Sequence, residues 1–352
     1  MKLFKKELLL LFLSLLFASI LCEGLYRAYE FHFYRRQLRK FEKSLEILRL
    51  APKNPVLQYL LKPEGTFLLA GKIPYKINKS GFRDVDFPVD KGSAQRIMVL
   101  GDSNTFGWGV TMEDTFPKVL ERQLRGKGLD VQVINAGVYG YNTRQEVLFL
   151  KDELLRYKPD LVIMAFHPND TQVNGVSPNH PFIKNGESHY HSWLLEFLKS
   201  RINRQINKGK RDASWCTEKS GDFFPIKVRL ANFCISYEQG FADDYPGWIR
   251  CKESLLEAQR ISKAEGFAFV LALLPDFASD FADYDLAWVH EKVRKFAEGS
   301  GINTIDLYRY FAGMDHASLQ NTELQDTHPN SRAHAIIAAS LSSELQERGL
   351  LK

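Results

Sequence analysis

The chain has 352 residues, of which 45% are hydrophobic, 25% charged and 12% aromatic, a balance that excludes a disordered or fibrous chain. The formal charge of +5 is unevenly placed: residues 1–62 carry 12 basic and 5 acidic side chains, so the other 290 hold 35 against 37. A slightly acidic body excludes a global basic field for nucleic acid, and the excess cations stand beside an apolar N-terminus where anionic lipid headgroups are their natural counterpart.

Lys2, Lys5 and Lys6 precede an uncharged apolar run from Leu8 to Cys22. Small residues at the positions a signal peptidase reads are missing after that run, which favours an uncleaved signal anchor over 1–28 and a transmembrane helix there. With the lysines held inside, the remainder of the chain is expected outside the cytoplasm. Arg35, Arg36, Arg39, Lys40 and Lys43, with Phe41, Leu45 and Leu48 at helical spacing, then suggest a juxtamembrane helical stalk over 29–74. Cys216, Cys234 and Cys251 fall within one stretch of 36 residues. An oxidising compartment would allow one disulfide among them in any of three pairings, with Cys251, at the opening of a helical pattern, the candidate for the leftover thiol.

From residue 95 short apolar runs alternate with amphipathic segments, the order of a parallel sheet wrapped by helices. Strands are predicted at Arg96–Gly101, Val131–Ala136, Leu161–Phe166, Phe267–Leu274 and Asn303–Asp306. Helices are predicted after an N-cap at Thr111, over Thr143–Tyr157, near Glu253–Glu265 and Leu286–Ala297, and from about Asn330 to Glu347. Five strands and their helices make a doubly wound α/β sheet, with ligands expected at the carboxyl ends of the strands.

Four segments stand at those ends. The first strand delivers Gly101-Asp102-Ser103, the second Asn135-Ala136-Gly137-Val138-Tyr139-Gly140, the third His167-Pro168-Asn169-Asp170, and Asp326-Thr327-His328 stands before the last helix. Each alone is an ordinary turn or cap. Together they supply what acyl transfer needs. Ser103 is a nucleophile that requires a base, and His328 serves if Asp326 holds its other ring nitrogen. The backbone N–H groups of Ser103 and Gly140 and the amide of Asn169 are three donors for an oxyanion.

On these motifs the sequence resembles the SGNH hydrolases, also called the GDSL esterases and lipases, over about residues 75–170 and 253–345. The segment Tyr75–Asp84 is similar to the lead-in of membrane-anchored bacterial members. The resemblance implies a flavodoxin-like three-layer α/β/α sandwich over 75–352, Ser103 as nucleophile, Gly140 and Asn169 in the oxyanion hole, and His328 as base oriented by Asp326. It implies no cofactor. Two positions depart from the family pattern: His167 replaces the usual Gly two residues before Asn169, and Asp326 stands two rather than three residues before His328.

Residues 171–250 read as an insertion. It holds Trp193, Trp215 and Trp248, which with His167 are candidate substrate contacts, and a basic run from Lys199 to Arg211. The aromatics either cover a substrate, as in a lid, or form a small satellite core. His189 and His191 lack a clear carboxylate partner and there is no Cys/His zinc spacing, so no metal is expected. The function expected from these readings is an extracytoplasmic serine esterase or acyl hydrolase, tethered to membrane lipid by its N-terminal helix and acting on an ester-bearing glycan, lipid or small molecule. An O-acyltransferase acting on an extracellular glycan shares the acyl-enzyme step, and a non-catalytic binding module on the same fold is the alternative of another class.

Overall fold

The computed structural model describes residues 47–50, 54, 56–69, 72–171, 237–324 and 326–352, with scattered helical positions between 13 and 25. The chain divides into two compact units, 1–42 with 181–212 and 43–180 with 213–352. Among the described residues no helix is long and apolar enough to cross a membrane. Most of the expected anchor at 1–28 lies outside the described residues, as do Trp193, Trp215, His189, His191, Cys216, Cys234 and the basic run.

The second unit opens with two short antiparallel pairs, β1 (Leu48–Leu50) with β2 (Tyr59–Leu61) and β3 (Thr66–Leu69) with β4 (Ile73–Lys76). This corrects the expectation of a helical stalk running to residue 74. Leu57, Tyr59, Leu60, Leu61, Phe67 and Leu69 are buried in the main core, so burial, rather than the 3.6-residue spacing of Phe41, Leu45 and Leu48, decides the end of that segment.

The strand β5 (Gln95–Gly101) is buried at every residue, as is β7 (Leu161–Phe166), the pattern of parallel strands covered on both faces. Between them come α1 (Ser103–Phe106), α2 (Phe116–Gly126), β6 (Val131–Gly137) and α3 (Thr143–Phe149). The helix α2 starts four residues later than an N-cap at Thr111 suggests. Thr115 is its N-cap and Pro117 sits in its first turn, where a missing N–H removes no intrahelical bond. Asn142 and Gln145 form a capping box at α3, which continues through π and 3-10 turns to Tyr157. From residue 237, α4 (Tyr237–Gly240), α5 (Pro246–Glu265), β8 (Ala268–Leu273), α6 (Ala287–Gly299) and β9 (Asn303–Asp306) follow. A small pair, β10 (Gln320–Asn321) and β11 (Asp326–Pro329), leads into α7 (Ser331–Glu347).

The five long strands form one parallel sheet in the order β6-β5-β7-β8-β9. Right-handed crossovers place α2 on one face and α3, α5 and α6 on the other, with α7 packed beside α2. The chain reverses its direction of travel at β5, which makes the carboxyl end of β5 the topological switch point. Gly101 is in register with Gly137 and Ala165, and Leu273 with Phe166 and Asp306, so all these strand ends come out at one edge.

Candidate active site

Asp102 ends the turn out of β5 and caps α1 by accepting from the Asn104 N–H at 2.8 Å. Ser103 is therefore the first residue of a buried helical turn, with its backbone N–H outside the helical ladder. That turn lies hard against the loop after β6: a Cβ on Gly137 would stand 2.3 Å from the Phe106 nitrogen. Only glycine fits there. Gly140 takes the left-handed conformation at φ 78°, open to glycine without the strain a side chain brings.

The four segments converge. Ser103 Oγ is 2.8 Å from His328 Nε2, and His328 Nδ1 is 2.5 Å from Asp326 Oδ1, which also accepts the His328 backbone N–H at 2.8 Å. The short Asp-x-His spacing is thus sufficient, because the β11 backbone turns one carboxylate oxygen onto the backbone nitrogen and Nδ1 of the histidine. Burial alone would lower the His328 value, but the Asp326 charge and hydrogen bond, with Asp102 and Asp276 beyond, hold it above 6.5. Burial would raise Asp326, yet His328 and a hydrogen bond from the Trp108 side chain hold it below the usual carboxylate range. A protonated ring at His328 is therefore stabilised by its surroundings. Asn321 Nδ2 donates to the His328 and Pro329 carbonyls at 3.2 and 3.0 Å, and Asn330 caps α7 just beyond.

Asn169 sits in a 3-10 turn, Pro168–Thr171, directly after β7. One N–H of its amide reaches Asp102 Oδ2 at 3.3 Å, which leaves the second for a ligand. Asp170 fastens the turn, accepting from the His167 N–H at 3.2 Å and the Thr143 hydroxyl at 3.3 Å. Beneath it lies a second buried carboxyl, Glu146. Burial first, then repulsion from Asp170 at Glu146 and from Asp102 at Asp170, pushes both carboxyls well above the usual range.

The lead-in segment contributes contacts that sequence reasoning missed. Arg83 is fully buried and donates to the carbonyls of Phe106, Gly107 and Val110 at 2.8, 2.5 and 2.6 Å. Its guanidinium lies 3.9 Å from the centre of the Tyr75 ring, and the Tyr75 hydroxyl accepts from the Gly109 N–H at 2.6 Å. Asp84 pairs with Lys118 at 2.8 Å and accepts the Asn135 N–H at 2.9 Å. Thus Tyr75, Arg83 and Asp84 fix the turns after β5 and within β6. A motif of charged and aromatic residues before a buried strand is the signal that marks them, although nothing in it reveals that their partners are backbone carbonyls.

Among the candidate substrate contacts, His167 stands beside Asn169 at this edge, its Nδ1 accepting from the Asn169 N–H at 3.5 Å. Trp248 does not reach the cleft. It is 1% exposed inside α5, packed on Phe241 and Phe296, because that helix begins at Pro246 and the insertion ends before it. Cys251 is a buried free thiol in the same helix, next to the Thr143 hydroxyl at 3.5 Å. Among the described residues no cluster of His, Cys, Asp and Glu is grouped to hold a metal ion.

Residues 99–209 match the model of a GDSL-like lipase/acylhydrolase family. Over 78 residues the chain is 33% identical to an arylesterase of Vibrio mimicus, 22% of this chain and 39% of that protein. Over 88 residues it is 28% identical to the esterase TesA of Pseudomonas aeruginosa, 25% of this chain and 43% of that protein. The chain thus spans about two fifths of the length of the curated relatives it matches. A crystal structure of TesA aligns with 72% of this chain and 99% of its own at 15% identity and a TM-score of 0.42. A catalytic mutant of the acetylxylan esterase Axe2 from Geobacillus stearothermophilus aligns with 73% and 95% at 16% identity and a TM-score of 0.43.

Proposed function

We propose that this chain is a serine esterase of the SGNH, or GDSL-like, hydrolase superfamily, working through an acyl-enzyme intermediate with Ser103, His328 and Asp326 as its triad. The observation that carries this reading is the continuous run of contacts from Ser103 Oγ through the His328 ring to Asp326, at 2.8 and 2.5 Å. The names of the curated relatives, an arylesterase and an esterase, support an ester as the substrate class.

In the proposed reaction Ser103 Oγ attacks the ester carbonyl carbon while its proton passes to His328 Nε2. The C–O double bond becomes an oxyanion, met by the N–H groups of Ser103 and Gly140 and by the free amide N–H of Asn169. Collapse of the tetrahedral intermediate breaks the bond to the alcohol oxygen, which takes the proton from His328. Water then repeats the sequence on the acyl-enzyme and releases the acid and Ser103. The Asp326 charge serves both halves by holding the ring in one tautomer and stabilising its protonated form.

The same reading places the catalytic unit outside the cytoplasm, tethered to membrane lipid through residues 1–28, with an ester-bearing glycan or lipid as substrate. Lys2, Lys5 and Lys6 ahead of the uncharged run from Leu8 to Cys22 support this orientation. The test of the chemistry is turnover of a short-chain aryl ester by the full chain and by Ser103→Ala. Loss of nearly all turnover in the variant is expected, and retention would overturn the assignment of Ser103.

A further inference from the structure

We infer that His167 and Asp276 form a hydroxyl-reading subsite beside the oxyanion hole, and that the ester this chain takes carries a free hydroxyl, as an ester of a polyol or sugar does. The inference rests on the proposed esterase activity and names the part of the substrate next to the reacting carbonyl.

The placement follows from the sheet. β7 and β8 are neighbours in register, and the bond from the Leu274 N–H to the Phe166 carbonyl at 2.8 Å carries the pairing one step past their ends. His167 and Asp276 leave the sheet just beyond, on the side of Asn169 away from Gly140. Asp276 is also among the charges that act on His328.

The polarity of the pair is fixed. His167 Nδ1 accepts from the Asn169 N–H at 3.5 Å, so the neutral ring carries its hydrogen on the other nitrogen, Nε2. Nε2 lies 3.9 Å from Asp276 Oδ1, too far for a direct hydrogen bond. A hydroxyl oxygen about 2.8 Å from each atom bridges that gap, accepting from Nε2–H and donating to Oδ1. An ammonium group would satisfy Asp276 but meet the Nε2 hydrogen head-on, and an apolar chain would leave both polar groups without water. A hydroxyl of the substrate uses both, in the place a water would otherwise take.

Asp276 is held for this role by its neighbours. Its Oδ2 accepts from the Tyr237 hydroxyl at 3.1 Å and its Oδ1 from the Ala278 N–H at 3.0 Å. Its own backbone N–H donates to the Tyr284 hydroxyl at 2.9 Å. That hydroxyl is 3.1 Å from His290 Nε2, and His290 Nδ1 is 2.8 Å from Asp306, so a chain running through the buried Tyr284 and His290 side chains anchors the loop to the end of β9. The carboxylate retains unused acceptor capacity in a fixed position, which is the condition for reading a ligand group rather than adapting to it.

The test compares kcat/KM for 1-monoacetylglycerol and for ethyl acetate, which share the acyl group and differ in the hydroxyls of the alcohol. It uses the full chain, His167→Gly and Asp276→Asn, each checked for a cooperative melt, with Ser103→Ala as the blank. The ratio of the two values should fall about tenfold or more in each folded variant, whatever the rate on ethyl acetate becomes. A ratio within about twofold of the parent in the variants that fold overturns the subsite while leaving the esterase reading intact. Equal hydrolysis by Ser103→Ala would instead overturn the esterase reading and this inference with it.

Discussion

Arg83→Met separates a clamp on the nucleophile turn from incidental packing. The substitution keeps apolar volume against the Tyr75 and Phe106 rings but removes the donors to the carbonyls of Phe106, Gly107 and Val110. Hydrogen bonds from a charged donor contribute about 1.5–3 kcal/mol each, so three are worth about 4.5–9 kcal/mol. Burial works against them, pushing the guanidinium from 12.5 down to about 10 despite the opposing influence of Tyr75 and Glu113. That depression corresponds to a penalty of about 3 kcal/mol on the charged form. The bonds outweigh it, and the variant should lose about 1.5–6 kcal/mol, a fall in Tm of about 5–10 °C at mid-range. Activity should fall by roughly tenfold as well, because the loosened loop carries Trp108, whose side chain hydrogen-bonds to Asp326. Thermal unfolding followed by circular dichroism, with kcat on an aryl ester measured well below the melt, checks both. A variant with the parent's Tm and kcat would refute the reasoning, since a buried charge can be replaced without loss when its bonds only offset its desolvation.

Asn169→Ala should lower kcat by about 10²–10³, as loss of one oxyanion donor does, and steady-state kinetics reads this directly. Because His328 acts as a base only when neutral and is held above 6.5, kcat/KM should rise with pH through an inflection above that value. Asp326→Asn should move the inflection down and lower kcat by about 10³–10⁴. The same pair contributes stability between the folded values of the two groups: the contribution fades as pH rises through the raised His328 value and as it falls through the depressed Asp326 value. Trp248→Ala should open a core cavity, lower stability by about 3–5 kcal/mol, and reduce activity on large and small esters alike.

The site was legible in sequence where chemistry and topology coincide. Gly-Asp-Ser, Asn-x-Gly-x-x-Gly, Asn169 and Asp-x-His each end a run that reads unambiguously as a buried strand or precede a clear helix, so their convergence at one sheet edge follows from parallel topology. Arg83 and Asp276 were not legible in this way. Their partners are backbone groups and residues far along the chain, which leave no periodicity and no local spacing. Trp248 is left between two readings by its sequence, because a tryptophan near an insertion reads the same whether it covers a substrate or fills a core, and only the start of α5 at Pro246 decides. The stalk was overextended because apolar residues at helical spacing before a strand pair do not show where one period gives way to the other. At α2, Thr111 and Asp114 resemble a capping pair, while Pro117 sets the start of the helix and leaves Thr115 as its cap.

The central claim, that Ser103 is a nucleophile activated by His328, is tested most directly by reaction with a fluorophosphonate and mass spectrometry of the digested protein. A single phosphonyl adduct on the peptide containing Ser103, lost in Ser103→Ala and formed far more slowly in His328→Ala, is the expected result. An adduct on a different residue, or a Ser103→Ala chain that labels at the parent's rate, would contradict the account.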